Sequence, residues 1–550
     1  LFEESVFKGP DRIAIVYESQ QLSYRVLNDK SNQLAHYLIK QGVTFETPVA
    51  ISTVRSPDLI IGLLAILKSG GTYVPLDPEY PDERLQYMLD DSKSRVLLTT
   101  LELQGKFKKT EDVYSRQSEL SIIAMDDLAI QQELDKQSKT NLNLCTPGNS
   151  LCYIIYTSGS TGKPKGVGVR SDAFYNTISY FYRSINSDLS NDLLSVTTIS
   201  FDIAQLEFFL PFVSGGKLYI TNYIQQEKTA LILSSIHKYK PDTLQAVPSL
   251  FASFNEYSKN IEKRPNIHHV ICGGEALNDI VEEYVNSISE QSWNVYGPTE
   301  STIWSTSNVI SQANSIGKPI YNTQIYILDS HLNAVPIGVI GEIYIGGVGL
   351  ARGYIGKAGL TAEKFIANPF VTEDVEGSSN IGSRLYKTGD LARYLPDGNI
   401  EFIGRVDHQV KIRGFRIELG EIESVLSDNK DVSQAVVLAR EDIVGQKRLV
   451  GYVTLNKEIT RSFEKEEELI ASLREQVSKS LPDYMQLAQI IILDEFPLTQ
   501  NGKLDRKALP SPEGREGIGL YQAPEGPIEE KLASIWSELL NVDKVGRNDN

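Results

Sequence analysis

The sequence predicts an α/β protein: a large unit of β-sheets covered by helices, followed by a small α+β unit. Three observations predict it. Through most of residues 1–400, short β-branched runs alternate with helical patterns, as in sheets flanked by helices. Residues 338–404 are rich in glycine and dense in strand patterns. Past Asp407 the elements shorten and finish near Pro510, as in a separate small unit.

Residues 12–17, 48–54 and 94–99 read as strands, with residues 24–42 and 57–68 as helices between them. Residues 101–150 are polar and irregular and read as a surface excursion. Tyr153-Ile154-Ile155-Tyr156 is a strand, Val167-Gly168-Val169 another, and Ser171 is placed to cap the next helix. Ser511-Pro512-Glu513-Gly514 reads as a linker. Beyond it Ile528, Leu532, Ile535, Trp536, Leu539 and Leu540 recur at helical spacing, giving a helix with one apolar face. That helix reads as the first of a further, truncated domain; docking on the body is the alternative.

At 550 residues the chain exceeds what one simple core supports. Its 23% charged and 41% hydrophobic residues are ordinary for a soluble globular protein. The net charge of −17 argues against a general nucleic-acid binder, which needs basic patches. An anionic ligand is still compatible, because its site needs only a few local donors. Cys145, Cys152 and Cys272 follow no metal-ligand spacing and are too few for a disulfide scaffold, which points to the reducing cytoplasm. The longest apolar run, residues 59–67, is too short to span a membrane, and no signal peptide opens the chain. The abrupt start at Leu1-Phe2-Glu3-Glu4 suggests a piece excised from something larger, expected to be monomeric.

Between the two strands runs Thr157-Ser158-Gly159-Ser160-Thr161-Gly162-Lys163-Pro164-Lys165-Gly166. Small residues let backbone N–H groups approach an anion, hydroxyls add donors, and the two lysines neutralise charge. No Gly-Lys-Ser/Thr ends the run and no helix opens directly after it, so it is a strand-loop-strand clamp rather than a Walker loop. A flexible serine/glycine turn is the plain alternative.

This loop resembles the signature of the adenylate-forming superfamily, which includes acyl-CoA synthetases, luciferases and nonribosomal peptide synthetase adenylation domains. Similar blocks follow in family order: Leu22-Ser23-Tyr24, LKSGGTYVPLD at 67–77, NVYGPTE at 294–300 and GEIYIGGVGLARGY at 341–354. YKTGDL at 386–391, GRVDHQVKIRGFRIELGEIE at 404–423, LPDYM at 481–485 and NGKLDR at 501–506 complete the series. The resemblance implies a large core over residues 1–406 that includes a distorted β-barrel, and a mobile small subdomain over 407–510. A linker at 511–520 and the start of a carrier protein at 521–550 follow. It implies amino-acid activation with ATP and Mg²⁺, then transfer to the phosphopantetheine thiol of a carrier protein, with neighbouring synthetase domains as partners.

An amino-acid carboxylate is already ionised at neutral pH and needs no general base. What it lacks is charge compensation and alignment against a second anion. By resemblance, Glu300 would hold the metal, Thr299 contact the α-phosphate and Tyr296 lie against adenine, with Asn294 and Gly297 in the same block. Gly274, Glu275 and Ala276 would flank the base, and Asp390, with Arg405 nearby, would receive the ribose hydroxyls. Thr157 to Lys163 would hold the departing phosphates, Lys503 would be the catalytic cation, and Asp407 the hinge. Taken alone, a lysine beside Asn-Gly is a solvated turn residue.

Asp202 matches the aspartate that pairs with the substrate ammonium in amino-acid activators, and a buried carboxylate needs such a partner. The pocket positions carry over as Ile203, Leu206, Gln245, Ile271, Gly273, Val295, Ile303 and Trp304. Several are large and none offers a charge to a substrate side chain. That pattern resembles glycine activators, with alanine as the second reading. An acyl- or aryl-CoA ligase would leave Asp202 unpaired, and a non-catalytic module would have no need of Lys503, Glu300 and Asp390 together. The chain departs from the family pattern at Ala204, at Gln486-Leu487 after Leu481–Met485, and at Ile355 after Tyr354.

Overall fold

A computed structural model describes residues 1–111, 120–159, 162–185, 191–221, 229–259, 264–310, 315–371, 383–443, 446–456, 463–499, 503–512, 523–540 and 545–547. The chain forms two compact units, one of Leu1–Ser158 with Pro164–Arg416, the other of Gly159–Lys163 with Ile417–Asn550.

The larger unit contains a 7-stranded and a 14-stranded sheet. In the first, the parallel strands Thr72–Pro75, Pro48–Ile51 and Val96–Thr99 carry fully buried residues on both faces, as expected where helices cover both sides. The covering helices follow the predicted pattern. Tyr24–Lys40 is capped by Ser23, whose Oγ accepts from the Val26 N–H at 3.3 Å, and Pro57–Lys68 opens on proline. The helix Ser171–Ser184 has Arg170, not Ser171, at its cap position and no side-chain cap bond. Residues 101–150 are more regular than their polarity predicts. Helices Leu101–Glu111 and Leu128–Asp135 flank the strand Ser121–Ala124, which pairs parallel with Val96–Thr99. Four residues are too few to show a period, so pairing with a preformed edge decides the strand.

The second sheet has a run of parallel strands, edged by the antiparallel Gln20–Ser23, and turns antiparallel toward its other end. Thr323–Leu328, Gly341–Gly347, Arg384–Tyr394 and Ile400–Arg405 are the antiparallel end and come from the glycine-rich stretch or just before it. The expected barrel is corrected here: among the described residues no barrel closes. Closure requires the two edges to pair. Thr323–Leu328 is one edge, whereas Gln20–Ser23 ends the other side of the ladder. Register shifts at Glu342/Tyr344 and Leu391/Ala392 add local twist without bringing the edges together.

In the smaller unit, Val432–Ile443, Gln446–Leu455 and Gln489–Leu493 form a three-stranded sheet beside helices Leu419–Ser427 and Phe463–Ser480. Ile422, Leu426, Val437, Val453, Leu473 and Val477 are buried in it. The Tyr452 hydroxyl donates to the Pro510 carbonyl at 2.8 Å, tying down the segment where the sequence places the unit's end. The predicted tail helix is present as Gly526–Leu540, and its Ile528, Leu532, Ile535 and Trp536 are exposed. Among the described residues no helix is long and apolar enough to cross a membrane.

Candidate active site

Strands Thr243–Ala246, Ile267–Gly273 and Ser289–Tyr296 run parallel, with Gln245 opposite Ile271 and Gly273 opposite Val295. Side chains alternate across a pleated sheet, so these positions share one face. Leu244, Val270 and Cys272 take the other, in a separate core with the helices Pro248–Ser258 and Asp279–Ile288. Asp202 precedes the helix Ile203–Ser214, whose Ile203 and Leu206 share a core cluster with Ile271, Val295, Ile303 and Trp304. The nine predicted pocket residues are thus all in the larger unit, on one side helix and three neighbouring strands with the turn that follows. The carboxyl ends of parallel strands are where open α/β sheets place ligands.

Trp304 is 1% exposed. Its position depends on the turn before it, where Thr302 and Ile303 have φ of 64° and 67°. Left-handed backbone at two β-branched residues costs about 1–3 kcal/mol each. The surroundings impose it: the Thr302 hydroxyl donates to the Gly349 carbonyl at 2.7 Å, and Thr177 Oγ1 donates to the Thr302 carbonyl at 3.2 Å. The indole then packs on the bare backbone of Gly273, where an added Cβ would lie 2.9 Å from Trp304 Cη2 and 2.4 Å from the Val295 carbonyl oxygen. Gly297 is required as well, since a Cβ there would lie 2.5 Å from the Ile303 carbonyl oxygen.

Asp202 is 7% exposed, and its Oδ2 is buried with no hydrogen-bond partner. Burial pushes the carboxyl up to about 6; a hydrogen bond from Thr299 opposes this and the negative charge of Glu300 reinforces it. A half-satisfied buried carboxyl is a costly feature unless something cationic fills the gap.

Glu300 is fully buried among cations. Arg416 Nη1 donates to its Oε2 at 2.7 Å, the Tyr354 hydroxyl to its Oε1 at 2.7 Å, and Lys165 Nζ lies 3.8 Å away. Burial alone would raise this carboxyl, but Arg416 and Lys165 together, with Tyr354, hold it down at about 2. Among the described residues no cluster of three His, Cys, Asp or Glu side chains forms a ready metal cage. A lone buried hard-oxygen donor in so cation-demanding a place nevertheless fits Mg²⁺, which takes one or two carboxylates and fills its shell with water and phosphate oxygens.

Asp390 accepts from the Tyr296 hydroxyl at 2.6 Å and from Arg405 Nη1 at 2.5 Å. Arg405 also forks onto Asp407 at 2.7 and 2.8 Å, so the predicted ribose, adenine and hinge positions form one chain of bonds. Glu275 accepts from the Ser249 and Gly414 N–H groups at 2.9 and 2.7 Å. Gly274, at φ 91°, and Ala276 adjoin it, and Asn294 Nδ2 donates to the Ser315 carbonyl at 2.8 Å. Thr157 ends the strand Leu151–Thr157, and Ser158 Oγ donates to the Arg416 carbonyl at 2.8 Å.

The remaining predicted residues are not part of this geometry. Gly159, Gly162 and Lys163 are counted with the second unit, where the Gly159 N–H donates to Glu421 Oε2 at 3.0 Å. Ser160 and Thr161 lie outside the described residues. Lys503 is exposed in the second unit, and its backbone carbonyl accepts from the Thr499 N–H at 2.7 Å. Sequence reasoning missed Arg416, Tyr354 and Lys411. The Lys411 ammonium, 5.9 Å from the Tyr296 ring centre, is held below its usual range by burial despite Asp390. A signal was available: Lys411, Arg413 and Arg416 crowd six residues of an otherwise acidic chain.

Residues 2–355 match the model of the AMP-binding enzyme family, and residues 421–503 that of the AMP-binding enzyme C-terminal domain. A dimodular nonribosomal peptide synthase of Bacillus subtilis (strain 168) is 39% identical over all of this chain and 22% of its own length. Gramicidin S synthase 2 of Brevibacillus brevis is 41% identical over all of this chain and 12% of its own length. The chain therefore spans less than a quarter of either relative. The crystal structure of a four-domain nonribosomal peptide synthetase bound to AMP and glycine superposes with a TM-score of 0.64 at 32% identity, covering 100% of this chain and 39% of that one. The chain belongs to the AMP-binding enzyme family and is an adenylating ligase, similar along its whole length to segments of nonribosomal peptide synthases.

Proposed function

We propose that this chain activates glycine as glycyl-AMP, releasing pyrophosphate, and passes the glycyl group to a carrier-protein thiol. The observation that carries the reading is Asp202, a buried carboxyl with one unpartnered oxygen; we read the buried Trp304 as the wall that would close the pocket beside it. An α-ammonium group completes the pairing that the protein leaves undone. On this reading the buried Trp304 indole fills the space that a larger substrate side chain would need, and overfilling a packed site costs about 1–3 kcal/mol. The four-domain synthetase of similar structure that binds AMP and glycine supports the same substrate.

In the first half-reaction a carboxylate oxygen of the amino acid attacks the α-phosphorus of ATP, a new O–P bond forms, and the bond to pyrophosphate breaks. Asp202 would hold the ammonium so that the carboxylate faces the nucleotide. Thr299 would reach the α-phosphate, Tyr296 with Gly274 to Ala276 the base, and Asp390 with Arg405 the ribose. Glu300 would hold Mg²⁺; when bound, the metal neutralises charge on the phosphates. The loop at residues 157–163 would retain the β- and γ-phosphates. Lys503 would supply the positive charge that offsets the two anions as they meet. Asp407 would be the pivot that lets one site serve adenylation and then thiol attack on the carbonyl carbon, with AMP leaving.

An ATP–pyrophosphate exchange panel over all amino acids tests this. Glycine should run fastest, alanine second. Fast exchange with phenylalanine or arginine while glycine is inert would sink the pocket reading. Undiminished adenylation by Lys503→Ala would sink the mechanism.

A further inference from the structure

Behind the pocket lies a polar network that no residue of the predicted site accounts for. Glu207, one turn along the helix from Ile203, is 0% exposed. Its Oε2 accepts from Ser195 Oγ at 2.7 Å and from the Val196 and Thr197 N–H groups at 3.0 and 3.1 Å; its Oε1 accepts from Thr197 Oγ1 at 2.5 Å. Arg55 closes the far side, donating from Nη2 to Ser195 Oγ at 2.8 Å and to the Ser195 carbonyl at 2.7 Å.

This cluster faces Gln245. The Gln245 Nε2 donates to the Ile203 carbonyl at 2.7 Å and approaches Glu207 Oε1 at 3.4 Å. Neither neighbour can donate, so the amide has one orientation, with its oxygen turned toward the pocket wall. That oxygen accepts from Trp304 Nε1 at 3.0 Å. The indole is thus held at Nε1 by Gln245, while its Cη2 occupies the space that a side chain at Gly273 would need.

We propose that Glu207, backed by Arg55, is a positioning residue for substrate size: it orients Gln245, and Gln245 locks the Trp304 indole across the amine pocket. The inference rests on the reading of Trp304 as the pocket's closing wall. Volume alone does not make a wall, because an indole free to swing about its side-chain torsions can admit an extra methyl group. A clamped one cannot. Fixed side chains with satisfied buried polar partners are what give a site geometric discrimination.

The test compares the folded full chain with Glu207→Gln and Thr197→Val, measuring pyrophosphate exchange with glycine and alanine and the emission of Trp304. The emission is isolated by difference against a Trp304→Phe background, since Trp293 and Trp536 also emit. Glu207→Gln should lower the glycine:alanine ratio of kcat/KM by about tenfold, the usual worth of one methylene in a tight pocket. The change should appear chiefly as a lower KM for alanine, with a red-shifted Trp304 emission. Thr197→Val should move both readouts in the same direction by less, and decides the matter if Glu207→Gln does not fold. A ratio within about twofold of wild type, with both acids slowed alike, would show a merely structural role and overturn the proposal. If wild type prefers another amino acid, the glycine reading fails separately. The clamp is then judged on that acid against its homologue longer by one methylene, with the emission shift still required.

Discussion

Replacing Asp202 by asparagine should make the protein more stable and nearly inactive. The folded carboxyl is raised from its ordinary value near 4 to about 6 by burial. About two pH units at 1.36 kcal/mol each put the cost of holding that ion above pH 6 near 3 kcal/mol. The sign follows from linkage. Between roughly pH 4 and 6 the native state binds the proton and the unfolded chain does not, so stability falls as pH rises through that window and the whole cost is present beyond it. Asparagine keeps the shape without the charge and can still accept from Thr299. Allowing about 1 kcal/mol for an imperfectly satisfied amide, Asp202→Asn should gain about 2 kcal/mol at pH 8 and lose about 1 kcal/mol below pH 4, where the wild-type carboxyl is neutral and carries no ionic cost. The same change strands the substrate ammonium, which should lower kcat/KM for the amino acid by two to three orders of magnitude, in line with about 2–5 kcal/mol for truncating a buried charge pair. In wild type, kcat/KM should fall below pH 6 as the carboxyl takes up its proton. Denaturation at pH 8 and pH 4, with exchange kinetics over the same range, checks all three. A variant less stable than wild type at pH 8, with an unchanged amino-acid KM, would refute the reasoning.

Other perturbations separate the remaining parts of the site. Lys503→Ala should cost adenylation about 10²–10³ in rate while leaving nucleotide affinity, read by fluorescent ATP displacement, close to wild type. Arg416→Met strands Glu300 without its nearest cation and should destabilise the larger unit by about 3–5 kcal/mol; adding Glu300→Gln should recover most of that in a denaturation cycle. Gly273→Ala must push either the Trp304 ring or the Val295 carbonyl away, and should cost about 1–3 kcal/mol in thermal unfolding. Trp304→Ala should admit larger side chains, so that exchange with alanine overtakes exchange with glycine.

The fold was legible where local signals agree with global demands. Ser23 before an amphipathic run, and proline at the opening of Pro57–Lys68, state where those helices begin. Strand Ser121–Ala124 was not legible, because its stability comes from the Val96–Thr99 edge rather than from its own four residues. Barrel closure was a property of the family resemblance rather than of any residue pattern, and the path of the strands overrides it.

The site was legible as a set of motifs but not as a balance of charge. Motif reading finds the carboxylates, because Asp202, Glu300 and Asp390 sit in blocks that can be matched one by one. It finds Arg405 beside Asp390 but not what offsets Glu300, since Arg416 lies 116 positions after it and Lys165, read as a phosphate-loop cation, 135 positions before it, yet both share its buried oxygens. The distinction matters for chemistry. Glu300 and Asp390 already have protein cations, at 2.7 and 2.5 Å, so a metal or a ribose must compete with or join those partners. Asp202 alone among the three keeps an oxygen with no partner. A buried carboxyl left incomplete costs stability in every molecule of free enzyme, and the cost is useful only if a cation supplied from outside removes it. That is why the unpartnered oxygen, more than any motif, is the ground on which we propose an amine as the substrate's first handle.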